Sequence, residues 1–234
     1  MMPVPAASSA PSAPATAEAL NQIYVWGISL AAALGALLFG YDWVVIGGAK
    51  PFYEPYFQIH SPARQGWAMS CALVGCLLGS IASGVLSDRF GRKRMLIIAG
   101  FTFAISSLGT GLAHSFPEFV AWRIAGGLGI GLASILSPMY IAEVAPAELR
   151  GKLVASNQLA IVIGIVLAQV MNWLIGKPLA PNATWLQIRQ SWDGQLGWRW
   201  MFAVTAIPAS LFIVAMFFAP ESPRWLARKG LRAR

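Results

Sequence analysis

Long apolar runs dominate the chain, and short polar stretches separate them. Six runs are each close to the roughly 20 residues that a helix needs to cross a hydrocarbon core about 30 Å thick. They cover approximately residues 24–48, 66–86, 95–113, 119–141, 153–175 and 200–219. Small residues recur within them at four-residue spacing, as at Gly127 and Gly131, which lets helices approach closely in a membrane. The pattern predicts an all-α membrane protein with a six-transmembrane-helix bundle over 20–226.

The two ends of the chain differ from these runs. Residues 1–19 are mostly Ala, Ser and Pro, a composition that buries too little apolar surface to fold and predicts a disordered tail. Residues 227–234 predict a short basic tail. Of the 234 residues, 57% are hydrophobic and 11% are charged, whereas soluble domains carry about 25% charged residues. The chain therefore has too few charges to cover a water-facing surface.

The net charge of +8 is best explained by membrane topology. The basic residues form short clusters between apolar runs and not one aromatic-studded face, so we predict no nucleic-acid partner. With a cytoplasmic N-terminus, eleven Lys and Arg residues fall on the inside and five on the outside. The positive-inside rule then places both termini in the cytoplasm. We expect a multi-pass protein of the cell (inner) membrane, surrounded by the lipid bilayer.

Two charged residues, Asp42 and Arg123, interrupt the apolar runs. Either one unpaired at the bilayer centre costs roughly 2.5 to 3.5 kcal/mol, so such residues usually face the bundle interior and have a partner. The first helix runs outward and reaches Asp42 late, and the fourth runs inward and reaches Arg123 early. Both should lie in the outer half, where they can pair. A motion that separates them changes the proton affinity of the carboxylate, although a static ion pair, or an arginine that extends to the interface, fits the same pattern.

The remaining polar residues point to no catalytic or metal site. The amide side chains of the fifth run are suited either to binding sugar hydroxyls or to forming hydrogen bonds between helices. These residues are Asn157, Gln158, Gln169 and Asn172. His60 and His114 lack Cys or carboxylate neighbours at metal spacing, so no metal is expected. The chain has no Walker A loop and no G-x-S-x-G elbow. We therefore predict that it is not an enzyme, and that it uses no cofactor beyond protons as a coupling ion.

Several motifs in order resemble the sugar porter family of the major facilitator superfamily, from about Leu38 to Leu226. They are GVLSDRFGRKR at 84–94, PMYIAEVAP at 138–146 followed by LRG at 149–151, GWRWMF at 197–202 and PESPRWL at 220–226. The resemblance implies that the six helices are the N-terminal half of a major facilitator fold. It also implies transport of a monosaccharide, either a hexose or a pentose.

The same resemblance implies roles for individual residues. The segment FGYD at 39–42 is similar to the first helix of proton-coupled bacterial members, which implies proton symport with Asp42 and Arg123 as the coupling pair. The segment NQL at 157–159 implies that Gln158 contacts sugar hydroxyls, and Phe39 is expected to line the same cavity. Ile165 stands at a position where xylose-transporting members have a second glutamine. Glucose carriers have isoleucine at this position, so the resemblance does not imply xylose specificity.

A further set of charged residues resembles the cytoplasmic gate of the family, which locks the inner side of the transporter. Its members in this chain are Asp88, Arg89, Arg92, Glu143, Arg150, Glu221 and Arg224. Exposed ion pairs contribute only about 0 to 1 kcal/mol each. A gating role therefore depends on the network and not on any one pair.

Transporters of this superfamily have two six-helix halves with the substrate between them, and this sequence contains one half. We therefore expect a partner, either a C-terminal six-helix half or a second copy. Three hypotheses follow: the N-terminal half of a sugar-proton symporter, a passive sugar facilitator of the same fold, and a non-transporting membrane protein that regulates a complete transporter.

Overall fold

The computed structural model describes residues 22–177 and 182–230. The predicted disordered tail and the last residues of the predicted basic tail lie outside these ranges. The described residues form helices and no strand: α1 Gln22–Phe57, α2 Pro62–Phe90, α3 Arg92–Leu112, α4 Phe116–Val144, α5 Arg150–Ile175, α6 Trp185–Gln190, a π-helical segment Asp193–Gly197, α7 Trp198–Ala203, α8 Ala206–Phe218 and α9 Pro223–Arg228.

Among the described residues, six spans are long and apolar enough to cross a membrane, namely α1 to α5 and the continuous stretch Asp193–Phe218. The predicted all-α, six-helix fold is therefore confirmed. Short connections make successive spans run in opposite directions, so the bundle has two ends. We call the end with Gly91, residues 145–149 and α9 the basic end, and the opposite end, with residues 58–61 and 113–115, the far end.

The first helix is longer than the predicted run 24–48. It continues through Pro51 and Pro55 to Phe57, and at 1.5 Å per residue its 36 residues measure about 54 Å. The apolar run ends earlier because Lys50 and Glu54 interrupt it, but the following turns pack against other helices. Gln58 ends the helix with a φ of 54°, and the next amide donates back to the Glu54 carbonyl at 3.0 Å.

The sixth span also differs from its predicted bounds of 200–219. It begins at Asp193 and is interrupted at Val204 and Thr205, between α7 and α8. Pro208 explains the break, because it has no amide hydrogen for the Val204 carbonyl and its ring clashes with that carbonyl. The Ile207 amide donates to the Val204 carbonyl instead, at 3.0 Å. After this span, α9 extends to Arg228 and crosses the predicted boundary at 226.

Glycines allow the closest helix contacts. The main pairings are α1 with α5, α2 with α4, and α3 with α4 and α8. A Cβ atom at Gly127 of α4 would collide with the Ala72 carbonyl of α2, and one at Gly40 of α1 would collide with the Ile161 carbonyl of α5. Small residues at these positions therefore let the backbones touch, as expected for helices in lipid.

Two helices have little of their surface buried. Along α2 the exposed residues include Leu77, Ile81 and Val85, and along α5 they include Val166 and Trp173. Because these apolar faces pack against no other part of residues 22–177 and 182–230, they fit a surface covered by lipid or by another protein.

An aromatic cluster holds the far end of the bundle together. Tyr53 and Phe119 lie 5.1 Å apart between ring centroids, and Phe57 and Trp198 lie 5.4 Å apart. Arg199 links three helices beside them, since it donates to the Gly111 carbonyl at 2.8 Å and to the Tyr56 hydroxyl at 2.7 Å. These contacts fix α7 against α1, α3 and α4, next to the buried charges described below.

Candidate functional site

A buried ion pair joins α1 to α4. Asp42 is 7% exposed and Arg123 is 5% exposed. The guanidinium is bidentate: Nη2 donates to Oδ2 at 3.0 Å, and Nη1 donates to Oδ1. The structure thus brings together the two residues for which the sequence predicts a coupling role. A planar fork of this kind is the strongest pairing available to a carboxylate.

Helix geometry sets the depth of this pair. Arg123 lies seven residues after the start of α4 and 21 residues before its end, so the pair is nearer the far end. The start of α4 is fixed by capping, because the Ser115 hydroxyl accepts from the Glu118 amide and the Glu118 carboxylate accepts from the His114 amide at 2.9 Å. Arg123 also lies over the ring of Phe202, 5.4 Å from its centroid.

An open cavity of about 280 Å³ lies beside the ion pair. It is close to the lower end of the roughly 300–1,000 Å³ seen for small-molecule pockets. Its lining is largely apolar and comes from α1, α2 and α4: Phe39, Asp42, Trp43, Ile46, Met69, Ser70, Ala72, Leu73, Cys76, Arg123, Gly127 and Ile130. A few polar groups in an apolar lining are typical of sites that bind and orient a small ligand.

Trp43 is a cavity residue that the sequence reasoning missed. It is 57% exposed, and its ring is stacked with Phe39 at 6.4 Å between centroids and 21° between planes. The signal was available, because residues four apart on a helix share a face. Phe39 also lines this cavity, and its predicted place in a sugar site shared with Gln158 stays a prediction.

The structure does not bring Gln158 and Ile165 to this cavity. Gln158 is exposed on α5 and Ile165 is half-buried. The face of α5 that packs on α1 instead carries Gly164, whose Cβ position meets the Leu37 carbonyl. The predicted contact of Gln158 with a sugar thus concerns an open face of α5, and it stays a prediction.

At the basic end, Arg92 is the centre of a second charge cluster. It is 4% exposed. Its Nη2 lies 2.9 Å from Asp88 Oδ1 and its Nε lies 3.1 Å from Glu143 Oε2, the latter at ion-pair distance without hydrogen-bond geometry. Its Nη1 donates to the Ser87 carbonyl at 3.1 Å. Arg92 therefore ties the end of α2 to the end of α4.

The connection to α9 completes this cluster. Glu221 accepts from the Lys93 amide at 3.0 Å, and the Ser222 hydroxyl donates to Glu143. Arg228 lies 3.4 Å from Asp88. Four of the predicted gate residues, Asp88, Arg92, Glu143 and Glu221, thus join the ends of α2, α3, α4 and α8.

The other three predicted gate residues have no ion pair within the described part of the chain and do not join these helix ends. Arg89 lies over the ring of its neighbour Phe90 at 5.3 Å, and Arg150 donates to the Ala145 carbonyl at 3.4 Å. Arg224 is exposed on α9. Lys93 and Ser222, which the sequence reasoning did not single out, take their place in the network.

A six-span helical bundle with a buried acid–base pair beside an open cavity has the design of a membrane transport protein. Comparison with known proteins makes this specific. The family model described as "Sugar (and other) transporter" matches residues 28–234. The D-xylose-proton symporter of Escherichia coli K12 is 43% identical over 235 residues, which cover 90% of this chain and 46% of that protein. The glucose transport protein of Synechocystis is 43% identical over 222 residues, covering 94% and 46%.

Solved structures give the same result. The proton:xylose symporter XylE bound to 6-bromo-6-deoxy-D-glucose matches with a TM-score of 0.80 and 42% identity, covering 90% of this chain and 48% of that one. The chain belongs to the sugar porter family of the major facilitator superfamily, and its six helices correspond to the N-terminal half of that fold. The family consists of transporters and not enzymes. The chain spans about half the length of the relatives it matches.

Proposed function

We propose that this chain is the N-terminal half of a secondary transporter that moves a monosaccharide, a hexose or a pentose, together with protons. The observation that carries the proposal is the buried Asp42–Arg123 pair at the edge of an open cavity. An ionisable pair inside a membrane bundle is a functional site by default, because its burial is costly. A 43% identical relative is a sugar-proton symporter, which supports the same function.

Protonation of Asp42 is the proposed coupling step. With Asp42 ionised, the bidentate bonds hold α1 against α4. A proton on the carboxylate removes its charge and one of its acceptor sites, so the two helices are held less tightly and can move relative to each other. Alternating access in this superfamily is a rocking of one half against the other around a fixed substrate site. Proton binding would thereby favour one arrangement of the halves.

The cavity is the proposed sugar site on this half. The paired rings of Phe39 and Trp43 offer an apolar surface to the C–H face of a sugar ring, and Ser70 with the ion pair offers polar groups. Gln158 and Ile165 lie on α5 outside this cavity. The proposed role of Gln158 is to offer an amide to the hydroxyl groups of a sugar held between the two halves, and Ile165, seven residues further along α5, offers none. The second half supplies the opposite wall.

The basic-end cluster is the proposed cytoplasmic gate. We place both termini in the cytoplasm and the protein in the inner membrane, since nine of the described Lys and Arg residues lie at the basic end and five at the far end. The exposed faces of α2 and α5 are the proposed contact with a C-terminal six-helix half or a second copy. Lipid covers the remaining apolar surface.

Proton-coupled sugar uptake tests the proposal. The chain is produced in transporter-deficient cells, alone and together with a C-terminal half from a related sugar porter, and accumulation against a gradient is measured. D42N should abolish accumulation, because the amide cannot carry a proton. Glu54, another buried carboxylate on α1, provides a matched control, and E54Q should accumulate sugar as wild type does at equal membrane abundance.

Unchanged accumulation by D42N would overturn proton coupling at this site and leave a passive facilitator. Co-purification with a complete homologue, without flux in either combination, would instead identify a regulatory partner. Flux by the chain alone would require a second copy to act as the other half.

A further inference from the structure

Arg123 has a second partner besides Asp42. Its Cζ lies over the ring of Phe202, 5.4 Å from the centroid. Both terminal nitrogens bond to Asp42, and Nε has no hydrogen-bond acceptor among residues 22–177 and 182–230. When Asp42 is neutral, it still offers an acceptor oxygen but no charge, so the electron-rich face of the Phe202 ring is then the contact that opposes the buried positive charge of Arg123.

Phe202 is held rigidly in this position. It is 1% exposed, and it meets Phe119 edge to face at 5.8 Å and Trp198 at 6.4 Å, with interplanar angles of 77° and 80°. It lies on α7, one residue before the end of that helix. Its ring is therefore positioned by the aromatic cluster of the far end and not by Arg123 itself.

We infer that Phe202 is a positioning residue that stabilises the free guanidinium of Arg123, and so sets the pH at which Asp42 takes up its proton. The inference rests on the proposed coupling role of Asp42. In the ion pair, the carboxylate already compensates the guanidinium charge, and the ring adds little. Once Asp42 is protonated, the full positive charge of Arg123 remains buried without a compensating anion. A cation–π contact is strongest in such a desolvated setting. Phe202 thereby favours the protonated state.

Other groups near the pair do not provide this stabilisation. The titratable groups that face it are Tyr53 on α1 and Cys71 and Cys76 on α2. The charged residues of α3 and α5 lie at the basic end, and α8 has none. Arg199 on α7 is occupied by Tyr56 and by the Gly111 carbonyl.

Infrared titration of the purified chain in lipid tests the inference without requiring transport. The carbonyl band of protonated Asp42 is identified by its loss in D42N and followed between about pH 4 and pH 9. In F202L the midpoint should fall by about 0.5 to 1 pH unit, a three- to tenfold higher proton concentration, from a cation–π contribution of about 1 kcal/mol. F202Y retains a ring and should keep the wild-type midpoint.

Phe212 supplies the structural control, because it is fully buried on α8 within the apolar core. F212L loses a comparable ring and should leave the midpoint unchanged. If F202L does not fold, F202M, with a flexible side chain, takes its place. A wild-type midpoint in a folded F202L or F202M, or an equal shift in F212L, overturns the inference.

The proposed function fails separately. An Asp42 band that does not titrate over this range removes the proton-carrier role and the inference with it. If D42N abolishes accumulation while F202L leaves the midpoint unchanged, the proposed function stands and the role of Phe202 is refuted.

Discussion

At the scale of residues, the burial of the Asp42 and Arg123 charges depends on their pairing. Removing one partner from a buried ion pair strands the other charge and typically costs about 3–5 kcal/mol, whereas replacing both with apolar groups is often neutral. We expect D42N to lower the free energy of unfolding by about that amount, and D42L/R123M to recover most of it. Denaturant unfolding in detergent, followed by circular dichroism, measures both. A double variant as unstable as D42N would contradict this interpretation.

Trp43 allows a second test at this scale. W43A removes half of the aromatic surface of the cavity and leaves the ion pair intact, so we expect a several-fold weaker apparent affinity for sugar with proton coupling retained. An aromatic contact contributes about 0.5–1.5 kcal/mol beyond area burial, which corresponds to roughly a two- to tenfold change in affinity. The measurement is the concentration dependence of uptake, with Trp200 on α7, which is 55% exposed and lies outside the cavity, as the matched control. An unchanged KM in W43A would show that the sugar does not touch this surface.

The pairing of Asp42 with Arg123 was predictable from sequence because it follows from the depth of each residue in the membrane. The directions of the first and fourth helices place Asp42 and Arg123 at similar depth, and no rotational detail is needed. The position of Gln158 outside the cavity was not predictable in this way. It depends on the rotation of α5 about its own axis. That rotation is set by close backbone contacts such as those at Gly40 and Gly164, which a spacing pattern does not specify.

At the scale of helices, Gly127 is where α2 and α4 touch. G127A places a methyl group against the Ala72 carbonyl, so the helices must separate, and we expect a loss of about 1–3 kcal/mol, as for overpacking. Gly84 on α2 is the matched control, since a Cβ there meets nothing within 4 Å. G84A should be neutral or stabilising by up to about 1 kcal/mol, from helix propensity. Thermal unfolding in detergent compares the two, and equal effects would refute the packing argument.

Helix existence followed from the apolar runs, but helix ends and breaks did not. The extension of α1 beyond Gly48 contains Lys50 and two prolines, and it is helical because its aromatic residues pack at the far end. The break before α8 follows from Pro208, a local rule that a hydropathy window averages out. The first departure is decided by neighbours in space, and the second by the local chemistry of one proline.

At the scale of the whole molecule, orientation is the testable property. We expect a cysteine introduced at Ala147, exposed at the basic end, to face the cytoplasm, and one at Asn182, exposed between the fifth and sixth spans, to face outward. Intact cells treated with a membrane-impermeant maleimide should label the second and not the first, relative to the unmodified chain. The opposite labelling would reverse the assigned topology.

The pairing of helices also bears on how the protein is synthesised. The first helix packs mainly on the fifth and the second mainly on the fourth, while the first two make little contact with each other. A ribosome therefore delivers α1 and α2 to the membrane well before their partners exist. Gly75 of α2 lies against the Ile124 carbonyl of α4, as Gly40 of α1 lies against α5. These glycine surfaces must stay in lipid, or be shielded by the insertion machinery, until α4 and α5 emerge. A chain interrupted before α5 would leave α1 exposed to quality-control proteases.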